Sequence, residues 1–262
     1  VSAGGANPQA AAGAAYAGLK LARLAFSLGG AFVAFKRRGL GSAPLADRAD
    51  WMSRTSRKCL RALGVSTRLE GSLPQGGILA ANHLGYLDIL LLGSFGPMIF
   101  VSKADVVAWP VFGNLATKAG TIYVNRESRS AVGETTRAID ATLAAGLPVV
   151  IFPEGTSSDG SSILPFRSSL LEPAAGKPGL AVPAHLGYDL PGGDVGRQVC
   201  YWGEMVFVPH LVGLARTRGV VGSVRVGLPV AEALDRKALA RRLRAEVEAL
   251  APVPPRAASP DS

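Results

Sequence analysis

His83 and Asp88, with four residues between them, are a pair that could move a proton. An imidazole takes up a proton near neutral pH, and a nearby carboxylate fixes its tautomer and stabilises the imidazolium. The apolar run Gly77-Ile78-Leu79-Ala80-Ala81 precedes the pair, and Ile89-Leu90-Leu91-Leu92 follows it. A buried strand therefore ends, and a helix begins, across Asn82-His83-Leu84-Gly85-Tyr86-Leu87-Asp88. That is where an α/β sheet presents reactive groups. Taken alone, His83 reads by default as a structural histidine bonded to a backbone carbonyl. Polar groups at other strand ends shift the balance.

Three further strands end on such groups. Gly120-Thr121-Ile122-Tyr123-Val124-Asn125-Arg126 reads as a short strand closing on an arginine. Pro148-Val149-Val150-Ile151-Phe152 reads as a buried strand followed by Pro153-Glu154-Gly155-Thr156. A fourth covers 180–184, with Pro183 and His185 at its end. In an open α/β sheet these ends line one crevice, and their shared placement says more than any one residue.

The elements that must position them alternate. Helices are expected at 45–63, about 88–95, 131–145 and 234–250. Strands are expected at 65–71, 98–102, 120–126, 148–152, 180–184 and 220–230, with a Gly/Pro-rich loop at 187–197. This pattern predicts an α/β fold: a mostly parallel mixed sheet flanked by helices. Residues 1–15 and 251–262 read as tails, 16–63 as N-terminal membrane-associating helices, and 64–250 as the main domain. Residues 24–35 are uncharged and apolar apart from Ser27, with Lys20 and Arg23 before them and Lys36-Arg37-Arg38 after. A spanning helix needs about 20 apolar residues, so a helix lying in the interface is expected, with an ordinary core helix as the plain alternative. A snorkelling Lys20 would lengthen the apolar stretch. Arg48, Arg54, Arg57, Lys58 and Arg61 give the next helix a basic face, either solvated or turned to lipid headgroups.

Composition points the same way. The 262 residues are 48% hydrophobic and 18% charged, with a formal net charge of +9. A basic, apolar chain suits an anionic membrane surface or phosphorylated substrates. Nucleic acid is disfavoured: aromatics are 6%, and there is no zinc-finger spacing or long basic block. Cys59 and Cys200 form no CxxC pair and read as reduced core or near-surface thiols in a cytosol-facing protein. Dinucleotide, phosphate-loop and zinc-helix motifs are missing, so no metal or cofactor is expected.

Together, Asn82-His83-(four residues)-Asp88, Gly120 to Arg126, Phe152-Pro153-Glu154-Gly155-Thr156 and Val182-Pro183 resemble the lysophosphatidic acid acyltransferase family of glycerolipid acyltransferases. The resemblance spans roughly residues 65–230. It implies that His83 is the general base on the acceptor hydroxyl and that Asp88 orients it. It implies an acyl thioester of coenzyme A or acyl carrier protein as co-substrate, and no covalent acyl-enzyme. No Gly-x-Ser-x-Gly nucleophile elbow occurs in the chain.

On this reading Arg126 holds an acceptor phosphate with its forked guanidinium, and a salt bridge to Glu127 or Glu154 is its bland role. Glu154 contacts the acceptor's glycerol or holds Arg126. Gly155 admits the ligand close to the backbone. Thr156 caps the turn or binds the acceptor. Arg167 is a second anion contact, although Ser169 stands where the family usually has glycine. Pro183 shapes the site, and His185 and His210 are structural. The expected acceptor is a lysophospholipid, foremost 1-acyl-sn-glycerol-3-phosphate. Alternatives are another lysolipid such as lyso-ornithine lipid, a non-catalytic lipid-binding module, or a thioesterase. The expected location is the cytoplasmic face of the inner membrane.

Overall fold

The computed structural model describes residues 8–109, 111–124 and 129–252. Its centre is a seven-stranded sheet in the order β1-β7-β6-β2-β5-β3-β4. The strands are β1 (Ser66–Glu70), β2 (Ile78–Ala81), β3 (Ile99–Lys103), β4 (Ile122–Val124), β5 (Val149–Ile151), β6 (Ala181–Asp189) and β7 (Val221–Val226). Every pairing is parallel except that of β6 with β7. The sheet is therefore mixed and mostly parallel, as expected.

β2 is buried along its whole length, which explains its continuous apolar run. Alternation sends its side chains to opposite faces. Leu79 and Ala81 join Leu91, Leu92 and Phe152 beneath α3 (Leu87–Phe95). Ile78 and Ala80 join Ile139, Leu239 and Leu243 beneath α5 (Arg129–Ala144) and α8 (Arg236–Ala249). Two short helices outside the elements expected from the sequence, α4 (Phe112–Ala119) and α7 (Phe207–Arg216), pack at the same end as α3. A single turn, α6 (Val195–Gln198), precedes α7.

At the N-terminus, α1 (Pro8–Arg37) and α2 (Leu45–Leu63) run antiparallel as a hairpin on α3 and α7. α1 takes in residues 8–15, which composition alone assigns to a tail. By length and composition Gly13–Arg37 could cross a membrane, with a mean hydropathy of 1.4. One stripe of α1, Ala17, Leu24, Ala31 and Phe35, is buried at helical spacing. The helix is fixed at both ends of that stripe. Trp51 Nε1 donates to the Ala31 carbonyl at 2.9 Å, and Trp51 packs edge-on against Phe35. Near the other end Lys20 Nζ donates to the Thr217 carbonyl at 2.8 Å. Lys20 is thus buried and turned inward rather than snorkelling, because the carbonyl after α7 and the Tyr16 ring beneath its ammonium replace water.

Two strands differ from expectation in length. β7 ends at Val226: its ladders with β1 and β6 cover 221–226, and beyond them Gly227 and Val230 each donate one N–H to β6, to the carbonyls of Pro183 and Ala181 at 2.9 Å. β6 runs on to Asp189 instead of stopping at 184. It pairs with β2 through Ala184, then continues as the antiparallel partner of β7. His185 and Pro183 consequently lie inside a strand, and the strand-end placement expected of them is overturned. His185 sits opposite Arg225, and burial, with Arg225 adding, lowers its pKa to about 4.

Candidate active site

The site begins where β2 ends. Asn82 continues the β2–β6 ladder with its side chain: Nδ2 donates to the Leu186 carbonyl at 3.0 Å, and Oδ1 accepts from the Leu186 N–H at 2.7 Å. That pins the chain one residue past the end of β2, so His83 leaves the sheet in a fixed direction. Its backbone carbonyl accepts from the Ser158 N–H at 2.9 Å, tying it to the loop after β5.

His83 and Asp88 meet. Nδ1 of the imidazole lies 2.8 Å from Asp88 Oδ2. The same oxygen accepts from the backbone N–H groups of Leu84 at 2.6 Å and Gly85 at 3.0 Å, and Asp88 Oδ1 accepts from the Tyr188 hydroxyl at 2.8 Å. The carboxylate is fully buried, so these donors stand in for water. With Nδ1 committed to Asp88, the nitrogen left for substrate is Nε2. The His83 side chain is 22% exposed and borders a cavity.

Gly85 makes the turn possible. Its φ is +145°, and a Cβ there would fall 2.8 Å from the Tyr201 backbone nitrogen. Tyr201 N–H is bonded to the neighbouring Leu84 carbonyl at 2.8 Å, so the two backbones need this close approach.

The cavity holds about 390 Å³ and is walled mainly by apolar groups such as Leu90, Phe100, Val106, Leu115 and Trp109. Space of this kind takes an alkyl chain and offers little to a polar ligand. Tyr86, Trp109, Phe112, Tyr201 and Phe207 form a ring cluster on one side. Tyr86 is held by His210, whose Nδ1 lies 3.0 Å from the phenolic oxygen. Beneath the imidazole, the Phe152 ring stacks at 4.2 Å between centroids and 17° between planes.

The residues expected after β5 part company. Gly155 (φ +72°) and Thr156 border the cavity, and Thr156 is exposed there. Glu154 does not line it: only 2% exposed, it accepts from the Leu164 N–H at 3.3 Å. Burial raises its carboxyl to about 8, with the Leu164 and His83 backbone amides opposing, Asp88 adding and Arg244 opposing. Arg244 donates to the Ile163 carbonyl at 2.9 and 3.2 Å and closes that loop onto α8. Arg167 is exposed outside the cavity; its backbone N–H donates to the Pro153 carbonyl at 2.8 Å. Arg126 lies outside the described residues.

Sequence reasoning missed Tyr188 and Phe152. Tyr188 fell in the stretch read as a Gly/Pro-rich loop, and no pattern at 187–197 marks a strand. Phe152 was visible as the last residue of a buried strand next to Glu154. A large aromatic ring at that position is the signal that could have identified it.

The family profile described as Acyltransferase matches residues 65–186. The chain is 34% identical to the lyso-ornithine lipid O-acyltransferase of Rhizobium meliloti, over 76% of this chain and 79% of that protein. It is 34% identical to the 1-acyl-sn-glycerol-3-phosphate acyltransferase of Neisseria gonorrhoeae, over 68% and 70%. The crystal structure of the 1-acyl-sn-glycerophosphate acyltransferase PlsC from Thermotoga maritima shares the fold, with a TM-score of 0.54, 20% identity and coverage of 77% and 79%. A relative aligned over more than three quarters of its length, together with the His83–Asp88 pair beside an apolar cavity, establishes that this chain belongs to the acyltransferase family.

Proposed function

We propose that this enzyme moves a fatty acyl group from a thioester to the free hydroxyl of a lysolipid, with His83 as general base. The observation that carries the reading is the 2.8 Å contact between His83 and the buried Asp88, at the wall of an apolar cavity. Nε2 takes the proton of the acceptor hydroxyl while Nδ1–H stays on Asp88. The hydroxyl oxygen bonds to the thioester carbonyl carbon, the carbon–sulfur bond breaks, and the thiolate recovers the proton from the imidazolium. The products are an ester and a free thiol. General-base assistance of this kind contributes about 10²–10⁴-fold. Alignment of the acyl chain in the cavity supports the remainder.

The acceptor expected first is 1-acyl-sn-glycerol-3-phosphate, with Arg126 as the phosphate contact and Gly155 and Thr156 along the acceptor. A second acceptor, lyso-ornithine lipid, is favoured by a specific similarity: the Pseudomonas aeruginosa lyso-ornithine lipid O-acyltransferase aligns at 36% identity over 87% of this chain. The donor is acyl-coenzyme A or acyl carrier protein. The enzyme works on the cytoplasmic face of an anionic membrane. Leu19, Phe26 and Val33, seven residues apart on α1, are exposed, and Lys36, Arg37 and Arg38 follow them. Attachment of α1 to the protein between Lys20 and Phe35, about 22 Å of helix, supports a helix lying on the bilayer over one crossing it.

The test uses the purified protein, a labelled acyl thioester and a panel of lysolipids, with products separated by headgroup. Ester formation on a lysolipid supports the reading. Label released only as free fatty acid, with or without acceptor, overturns it.

A further inference from the structure

The sequence offers two partners for a proton relay, and the structure has a third. We infer that Tyr188 is a positioning residue for catalysis: its hydroxyl holds Asp88 Oδ1 and thereby sets how strongly the carboxylate supports a charged His83. The inference rests on His83 acting as general base.

The geometry divides the carboxylate in two. Oδ2 receives His83 Nδ1 and the backbone N–H groups of Leu84 and Gly85. Oδ1 receives the Tyr188 hydroxyl at 2.8 Å. Three of these partners come from the turn after β2 that carries His83, so they move with it. Tyr188 comes from β6, 100 residues away, and is the one that fixes the carboxylate to the sheet.

The fold makes room for this contact. Tyr188 pairs with Gly222 across β6 and β7. A Cβ at Gly222 would lie 3.1 Å from Tyr188 Cε1 and 2.9 Å from Leu91 Cδ1. With hydrogen in place of a methyl, the tyrosine ring and α3 both settle against β7. The reach of β6 beyond Ala184 is what brings Tyr188 to Asp88.

The titratable groups around the carboxylate are His83, Tyr188, Glu154 and Cys200, with Tyr86 beside Tyr188. Burial and the Asp88 charge hold the Tyr188 phenol protonated, and burial keeps the Cys200 thiol and the Tyr86 phenol protonated as well. Tyr188 is therefore a permanent donor over the working range. A carboxylate relieved of a donor concentrates its charge on the remaining partners and stabilises an imidazolium more. It also loses the contact that orients it.

Tyr188→Phe removes one oxygen and keeps the ring. The chain has three histidines, so the His83 ring can be followed by NMR during a pH titration as well as by kinetics. We expect the His83 titration midpoint and the acid limb of kcat/KM to move to higher pH than in wild type, with Glu154 present in both. We expect kcat to fall about tenfold, the worth of one charge-assisted hydrogen bond, with both KM values within about twofold. Gly222→Ala, which displaces the ring while keeping the hydroxyl, should move the midpoint the same way. An unmoved midpoint in folded Tyr188→Phe overturns the inference, even if kcat drops. The NMR readout does not depend on turnover. Failure of transfer in wild type would count against the acyltransferase reading, and an unmoved midpoint against Tyr188 alone.

Discussion

The imidazole of His83 lies almost flat on the ring of Phe152, 4.2 Å away, while its edge meets Asp88. One contact fixes the plane of the base and the other fixes its rotation about that plane. Phe152 is buried at the end of β5, so the platform belongs to the sheet. A ring face also favours the cationic form that the base passes through. Phe152→Leu keeps apolar volume but removes the face. Steady-state kinetics should give a kcat lower by about three- to tenfold, matching the roughly 0.5–1.5 kcal/mol of an aromatic pair. A wild-type kcat in that variant would mean the stack plays no part.

Asn82 is predicted to act through structure. Both polar atoms of its buried side chain are spent on Leu186. Asn82→Ala leaves a buried carbonyl and N–H without these partners, costing about 1–3 kcal/mol in chemical denaturation. Asn82→Asp should cost more, because a carboxylate cannot donate to the Leu186 carbonyl and turns charge towards it. Equal stability of the two variants would contradict this account.

Glu154 sets a pH dependence of stability. Its folded-state pKa, about 8, lies above the ordinary carboxyl value of 4.5. Between those values the folded chain keeps a proton that the unfolded chain has released. This contribution is fully present below about 4.5 and is lost as pH rises to about 8, with a slope up to about 1.4 kcal/mol per pH unit. Glu154→Gln should flatten the stability profile in that window relative to wild type, as read from urea midpoints. Parallel profiles would show that Glu154 ionises normally in the fold.

Membrane attachment through α1 makes its own prediction. Phe26 is 84% exposed, between the exposed Leu19 and Val33 on the face of α1 turned away from the protein. Phe26→Glu should weaken sedimentation with anionic phospholipid vesicles by about tenfold or more, since burying an aromatic side chain is worth about 1.5–3 kcal/mol. Transfer to a lysolipid presented in detergent should be little changed. Undiminished vesicle binding would remove this face of α1 from the interface.

Much of this was legible in the chain itself. The His83–Asp88 spacing, the continuous apolar run of β2 and the turn after β5 named the motif, because a buried parallel strand writes itself as an apolar block. The reach of β6 was hidden. Its second half pairs with β7, and a strand that changes partners carries Gly187 and Tyr188 where an even pattern would be expected. The inward turn of Lys20 was equally illegible, because its acceptor, the Thr217 carbonyl, is 197 residues away. Glu154 was identified by motif, but its burial depends on the Leu164 and Ile163 loop folding back under Arg244, a contact that no local pattern announces.

The central claim is that His83 is the base for acyl transfer to a lysolipid hydroxyl. Wild type and His83→Ala are compared for ester formation from a labelled acyl thioester and 1-acyl-sn-glycerol-3-phosphate or lyso-ornithine lipid, after matching their melting temperatures. The account predicts ester in wild type and a loss of about 10²–10⁴-fold in the folded variant. A folded His83→Ala protein that transfers the acyl group within a few-fold of wild type would contradict it.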